Sequence, residues 1–171
     1  MAILEILQHP DQRLRKKARA VNTFDTVLKT LVHDMFETMY AAPGIGLAAT
    51  QVNVHKRVIV VDVTRDCSDP LHFVNPVILF SEGKEETQEG CLSVPNFFAE
   101  IDRPMKCDVE YLDYDGKKKK LKAEGLLATC IQHEMDHLEG ILFIDYLSKL
   151  KKTIIVKKLS KKKDRPDRIV V

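Results

Sequence analysis

No run of apolar residues in this chain approaches the roughly 18 that a membrane-spanning helix needs, so no membrane partner is expected. The opening stretch, MAILEILQHPDQ, has no basic start, and Glu5 interrupts what apolarity it has. That reads against a secretory signal and for a cytoplasmic setting. Cysteine is scarce: Cys67, Cys91, Cys107 and Cys130 are the only four, and they follow no paired zinc-finger spacing. They read as reduced thiols, most of them small buried hydrophobes. Internal repeats and low-complexity linkers are also missing. What remains is an ordinary globular composition, 44% hydrophobic and 30% charged over 171 residues, which fits a single domain spanning 1–171.

The formal net charge of +2 conceals an uneven distribution. Residues 149–171 hold ten basic side chains against Asp164 and Asp167, whereas residues 1–148 hold 17 basic and 23 acidic ones. A basic tail on an acidic body suits an anionic partner such as RNA, and it equally suits a solvated helix face.

Hydrophobic periodicity places the elements. Asp11 to Ala20, after His9-Pro10, reads as a short charged helix. Thr23 to Ala42 reads as a longer one, with Val27, Leu31, Met35 and Met39 at helical spacing, Leu28, Val32 and Phe36 beside them, and Pro43-Gly44 to stop it. His33 on that helix is expected at the surface. Arg57 to Val63 is β-branched and short, as a buried strand should be. Further strands are expected at His72 to Phe80, Lys106 to Asp113 and Lys117 to Ala123, the last two joined by the turn Asp115-Gly116. The lysines at 117–120 mark an exposed edge. Glu124 to Leu138 then reads as a helix ended by Gly140, and Asp145 to Lys162 as a last one. The fold class is α+β: N-terminal helices, antiparallel β-sheets around a central helix, and a basic C-terminal helix.

The central helix carries the chemistry. In Gln132-His133-Glu134-Met135-Asp136-His137 two histidines stand four residues apart, about 40° around a helix of 100° per residue. Leu126 and Cys130 share their face, and Glu134 stands about 100° from His133, within reach of a metal-bound water. Paired buried imidazoles beside a carboxylate are costly unless something binds them, so a metal is expected here. A catalytic site of this kind takes three protein ligands and leaves one position open. No third ligand lies downstream: Phe143 stands where the long metalloprotease pattern needs a histidine, no glutamate follows Glu139, and Asp145 reads as a helix cap. Upstream, Cys130 would crowd the same helical turn and reads as pocket wall. Cys91, in Glu89-Gly90-Cys91-Leu92-Ser93-Val94-Pro95, sits on a glycine-flanked loop that can present a thiolate and a free backbone N–H, and it is the preferred ligand.

Three segments taken together, Gly44-Ile45-Gly46-Leu47-Ala48-Ala49-Thr50-Gln51, Glu89-Gly90-Cys91-Leu92-Ser93 and Gln132-His133-Glu134-Met135-Asp136-His137, resemble the signatures of the bacterial peptide deformylase family. The resemblance runs from Pro10 to about Leu150. It implies a hydrolase that removes the N-formyl group from the formylmethionine of nascent peptides and releases formate. The metal would be held by Cys91, His133 and His137: ferrous iron first, with zinc, nickel or cobalt able to replace it. The metal would activate a water for attack on the formyl carbon, with Glu134 as general base and then general acid. Gln51 and the backbone N–H of Leu92 would face the oxygen that gathers charge. Gly44, Ile45 and Gly46 would pair with the substrate as an added strand, and Leu126, Cys130 and Ile45 would wall the methionine slot. Thr129 and Phe98 depart from the aliphatic and basic residues that bacterial relatives often carry there, which bears on peptide preference beyond methionine. The resemblance also implies a ribosome contact through the basic tail, near the site where nascent chains emerge. A monomer is expected, and an Asp136–Arg103 pair is expected to brace the helix. The rival readings are a small metalloendopeptidase and a non-catalytic metal-stabilised RNA-binding domain.

Overall fold

Asp25 starts the first long helix by accepting a hydrogen bond from the Leu28 N–H at 3.2 Å, and the helix α1 runs over Thr26–Ala41. Leu28, Val32, Met35 and Met39, at helical spacing, form its buried face, whereas Val27 is exposed and His33 lies at the surface as expected. These are features of a computed structural model that describes residues 2–161. The helix expected over Asp11 to Ala20 is reduced to a 3-10 turn at Gln12–Arg15, capped by Asp11. Lys16 is already extended. Beyond it the chain finds better backbone partners elsewhere: the Ala18 N–H donates to the Leu138 carbonyl at 2.8 Å, and Arg19 bridges Lys56. Leu14 and Ala18 are the only buried side chains of the segment, too few for a helical face to outweigh those bonds.

Among the described residues seven strands follow, all paired antiparallel. β1 (Gly46–Ala48), β2 (Val58–Val61), β3 (Leu71–Glu82), β6 (Lys106–Leu112) and β7 (Lys118–Glu124) form one sheet in the order β1-β2-β3-β6-β7, and β4 (Glu85–Cys91) pairs with β5 (Val94–Arg103) in a separate hairpin. β2, β3, β6 and β7 match the expected strands within a few residues. β1, β4 and β5 were not anticipated, because β1 is three residues long, β4 reads EETQEGC, and β5 contains Pro95 and Asn96. The β6–β7 turn closes through the Asp113 N–H to Lys117 carbonyl bond of 2.9 Å, with Gly116 at φ +81°. Lysines 118–120 lie on the edge strand β7, as expected, and their ammonium groups reach Glu110 and Asp113.

β2 explains the layering. Val58 and Val60 point to α1, while Ile59 and Val61 point the other way, onto α2 (Leu126–Leu138). The sheet therefore lies between the two helices, and a strand buried on both faces needs no polar alternation. A third apolar cluster, including Cys91, Ile101, Phe143 and Ile155, ties the β4–β5 hairpin to the chain beyond α2 and to the last helix, α3 (Lys149–Lys161). The central helix is thus enclosed by the sheet on one side and the hairpin on the other. α3 begins later than the expected Asp145, with the Ser148 hydroxyl accepting from the Lys151 N–H. Asp145 instead sits in a 3-10 turn at Phe143–Tyr146, accepts from the Leu142 N–H, and pairs with Arg15 and Lys152. Residues 162–171 of the expected basic tail lie outside the described residues. Among the described residues no helix is long and apolar enough to cross a membrane.

Candidate metal centre and active site

Gly125, at φ +64°, lets the chain turn sharply from β7 into α2. Nine residues of that helix are buried, among them His133, Glu134 and His137, because the helix is enclosed on two sides. Cys91 ends β4 at a register shift in the hairpin, and its side chain meets His137 on the helix. The result is a convergence of three donors from distant parts of the chain. The Cys91 Sγ stands 3.3 Å from the His137 Nε2, the two histidine Nε2 atoms are 3.2 Å apart, and one ligand atom from each residue fits within 4.8 Å. Cys130, the alternative ligand, points elsewhere: its thiol donates to the Ile45 carbonyl at 3.6 Å, and burial pushes that thiol well above its ordinary pKa.

The remaining buried polar atoms show that the cluster fits a divalent cation. Glu134 is 1% exposed, yet neither of its carboxylate oxygens has a hydrogen-bond partner among the described residues, and the His137 Nδ1 lacks one too. Buried groups are rarely left so, and a site of one thiolate and two imidazoles with a free carboxylate beside it suits a cation with a fourth position open to water. The His133 ring is oriented from behind: its Nδ1 lies 2.9 Å from the Glu89 Oε1. Glu89 is held in turn by the guanidinium of Arg103, whose Nη2 donates to it at 2.9 Å. The Arg103 Nη1 continues to Asp136 at 3.0 Å, and the Tyr146 hydroxyl donates to Asp136 at 2.7 Å. The Arg103–Asp136 pair was expected. Glu89 was missed, although it lies two residues before Cys91, and a period of two puts both side chains on one face of a strand.

Burial and charge oppose each other across this network. Burial works against the Glu89 anion, but its bonds to His133 and Arg103 hold the carboxyl down to about 2. Burial also works against a charged His133, yet Glu134, Cys91 and Glu89 around it raise its pKa to about 10. Glu134 is pushed up to about 7, chiefly by burial, with His133 pulling the other way. Burial and the charge of His133 push His137 well below its ordinary value. A carboxyl poised near neutrality is suited to accept and return a proton.

Gln51 lies in the 3-10 turn Ala49–Val52 that follows β1, 1% exposed. Its Oε1 accepts from the Ala48 N–H at 2.9 Å, so its amide nitrogen is turned toward Ser93, 3.0 Å away, and Cys91, 3.6 Å away. The Ser93 N–H donates to the Cys91 sulfur at 3.4 Å. Leu92 sits between these two residues, its side chain against Gly44. A Cβ at Gly44 would meet the Leu92 Cδ1 at 2.7 Å, and one at Gly46 would fall on the Glu134 carboxylate and the Cys130 sulfur. Ile45 is half-buried, and its carbonyl accepts from the Asp62 N–H. Of the expected slot residues, Cys130 is buried and Leu126, the first residue of α2, is 49% exposed. Thr129 is buried, and the Phe98 ring packs over Gly90.

A family model described as Polypeptide deformylase matches residues 3–153. The chain belongs to this family. It is 58% identical to the peptide deformylase of Pelagibacter ubique over 174 residues, covering 100% of both chains, and 60% identical over 162 residues to peptide deformylase 1 of Pseudomonas syringae pv. tomato, covering 94% of this chain and 96% of the other. Among solved structures, a peptide deformylase from Legionella pneumophila superposes with a TM-score of 0.90 at 49% identity, over 93% of this chain and 94% of that one. One from Ehrlichia chaffeensis in complex with actinonin gives 0.92 at 44%, over 96% and 99%. As a member of this family the protein removes the N-formyl group of nascent peptides, and within its α+β fold Cys91, His133 and His137 form a group able to hold a divalent metal.

Proposed function

We propose that Cys91, His133 and His137 hold one catalytic cation, with Glu134 as the proton carrier of the deformylation. When bound, the cation supplies Lewis-acid activation of water and of the formyl group. Glu134 takes the proton released as water adds to the formyl carbon, and hands it to the departing amine as the C–N bond breaks, leaving formate and a free α-amine. The Gln51 amide and the Leu92 N–H stabilise the oxygen as it gathers negative charge, each donor worth about 3–4 kcal/mol in the transition state. The substrate backbone lies beside Gly44 and Ile45 and on to Gly46, at the start of the edge strand β1, as an added strand. Its methionine side chain enters a slot walled by Leu126, Cys130 and Ile45.

The observation that carries this reading is Glu134: fully enclosed, without a hydrogen-bond partner among the described residues, 3.8 Å from the His137 Nε2, and raised to about 7 beside three convergent ligand atoms. Ferrous iron is the working metal, with zinc, nickel or cobalt as substitutes. Binding strength alone favours zinc, so metal content must be read from protein prepared anaerobically with Fe(II). The enzyme is a cytoplasmic, single-domain monomer, and its basic segment from Lys149 onward contacts ribosomal RNA.

One assay tests the chemistry. The protein is given formyl-Met-Ala-Ser, the unformylated peptide and an unfolded protein, each with wild-type, Cys91→Ser and Cys130→Ser enzyme. Formate is expected from the first substrate only. Cys91→Ser should lose metal, while Cys130→Ser should keep metal and show a raised KM. Cleavage of the unfolded protein, or full metal content in Cys91→Ser, refutes the assignment.

A further inference from the structure

Most basic side chains of the body are matched by a carboxylate: Arg15 by Asp145, Arg57 by Glu139, Arg103 by Glu89 and the lysines of β7 by Glu110 and Asp113. Lys16, Arg19 and Lys56 form no ion pair among the described residues, and all three are exposed and line the same groove. Lys17 joins them, with only a long 3.6 Å approach to Glu139. The groove has a volume of about 700 Å³, and no carboxylate lines it. Four cations gathered on a body whose residues 1–148 are net acidic create a local field of opposite sign to their surroundings.

Its floor is firm. Two chain segments run side by side through the Arg19–Lys56 bridge, with the Arg19 N–H donating to the His55 carbonyl and the Arg57 N–H to the Arg19 carbonyl, both at 2.9 Å. Asn22, Thr23, Asn53 and His55 add polar groups suited to phosphate and sugar oxygens. The apolar lining is limited to Ala20, Val21 and Val54; no Phe, Tyr or Trp ring is present on which a base could stack, and the Nε2 of the His55 imidazole lies 3.0 Å from the Arg13 carbonyl. We propose that this groove binds the phosphate backbone of an RNA strand, independently of its sequence, as a contact surface separate from the basic segment after Lys149. A protein partner is disfavoured because the groove offers no apolar anchor site.

The test measures binding of a fluorescein-labelled 20-nucleotide single-stranded RNA by anisotropy between 50 and 200 mM salt, using full-length protein. One variant carries Lys16→Gln, Arg19→Gln and Lys56→Gln. A second carries Lys149→Gln, Lys151→Gln and Lys158→Gln, so that loss of the groove contact and loss of the tail contact are read separately. Three phosphate contacts on a single strand contribute about two units to the slope of log K against log salt. The groove variant should lose about that slope and at least about tenfold in affinity at 50 mM, in both the wild-type and the tail-variant background, while formate release from formyl-Met-Ala-Ser stays unchanged. RNA affinity unaltered by the groove substitutions overturns the proposal. So does a loss seen with a labelled poly-glutamate probe but not with RNA.

Discussion

Replacing Arg103 with methionine tests the support behind the metal-facing histidine. Arg103 is 5% exposed, and it serves two carboxylates, Glu89 at 0% and Asp136 at 22% exposure. Methionine has similar length and no charge, so the packing changes little, but Glu89 keeps only the His133 ring as a charged partner. Breaking a buried pair from one side costs about 3–5 kcal/mol, because the stranded charge retains its desolvation penalty. In a chain of this size 1 kcal/mol shifts Tm by about 2–4 °C, so a fall of about 6–20 °C is expected. Glu89→Gln combined with Arg103→Met removes both charges, and the Thr87 hydroxyl, 3.0 Å from Glu89, can accept from the new amide. Most of the lost stability should therefore return. Metal affinity should fall in the double variant, where Glu89→Gln takes the anionic acceptor from His133; a weakening of about 10–100-fold is expected. Thermal melts with denaturant titration, and chelator competition for cobalt, measure the two quantities independently. A single variant melting within 2 °C of wild type, or a double variant no more stable than the single, would falsify the account.

Glu134→Gln removes a buried carboxylate without a hydrogen-bond partner among the described residues, so the metal-free protein should gain about 1–2 kcal/mol while formate release falls about 10²–10⁴-fold; a variant that stays active contradicts its assigned role. Gly46→Ala forces a methyl onto the Glu134 carboxylate and the Cys130 sulfur, and should cost about 1–3 kcal/mol and most of the activity. Gly44→Ala meets only the flexible end of Leu92 and should be milder, so equal damage from the two would count against the geometry. Asp145 is held at about 2 rather than the usual 3.8: burial opposes its charge, but Arg15, Lys152 and the Leu142 N–H outweigh burial. Because its pKa is depressed in the folded state, it contributes stability above the usual value, and that contribution disappears as pH falls from about 4 through about 2. Asp145→Asn should thus lose about 1–2 kcal/mol at pH 7 and flatten the acid limb of the stability curve over that window; an unchanged acid limb rules this out.

Local patterns carried the parts of the molecule whose structure is decided within a few residues. The stripe of Leu28, Val32, Met35 and Met39, the β-branched run of β2, and the 133–137 spacing on α2 each follow from helix or strand period and nothing else. Cys91 was readable because a glycine-flanked loop marks a close approach, and because the three motifs together resemble one family. The segment after Asp11 was misread, since its charges suit a helix in isolation but its backbone pairs instead with Leu138 and His55. β4 was invisible for the same reason in reverse: EETQEGC has no strand signature and acquires one only from β5. Glu89 and Arg103 acquire their roles only when the hairpin brings them together behind His133, with Arg103 reaching on to Asp136. Sequence alone determined which side chains could bind a cation and which helix would display two of them, because periodicity is a short-range property. Only the tertiary structure decided which carboxylate is hydrogen-bonded and which, among the described residues, is not. That depends on contacts between residues tens of positions apart, made when the sheet and the hairpin close around α2.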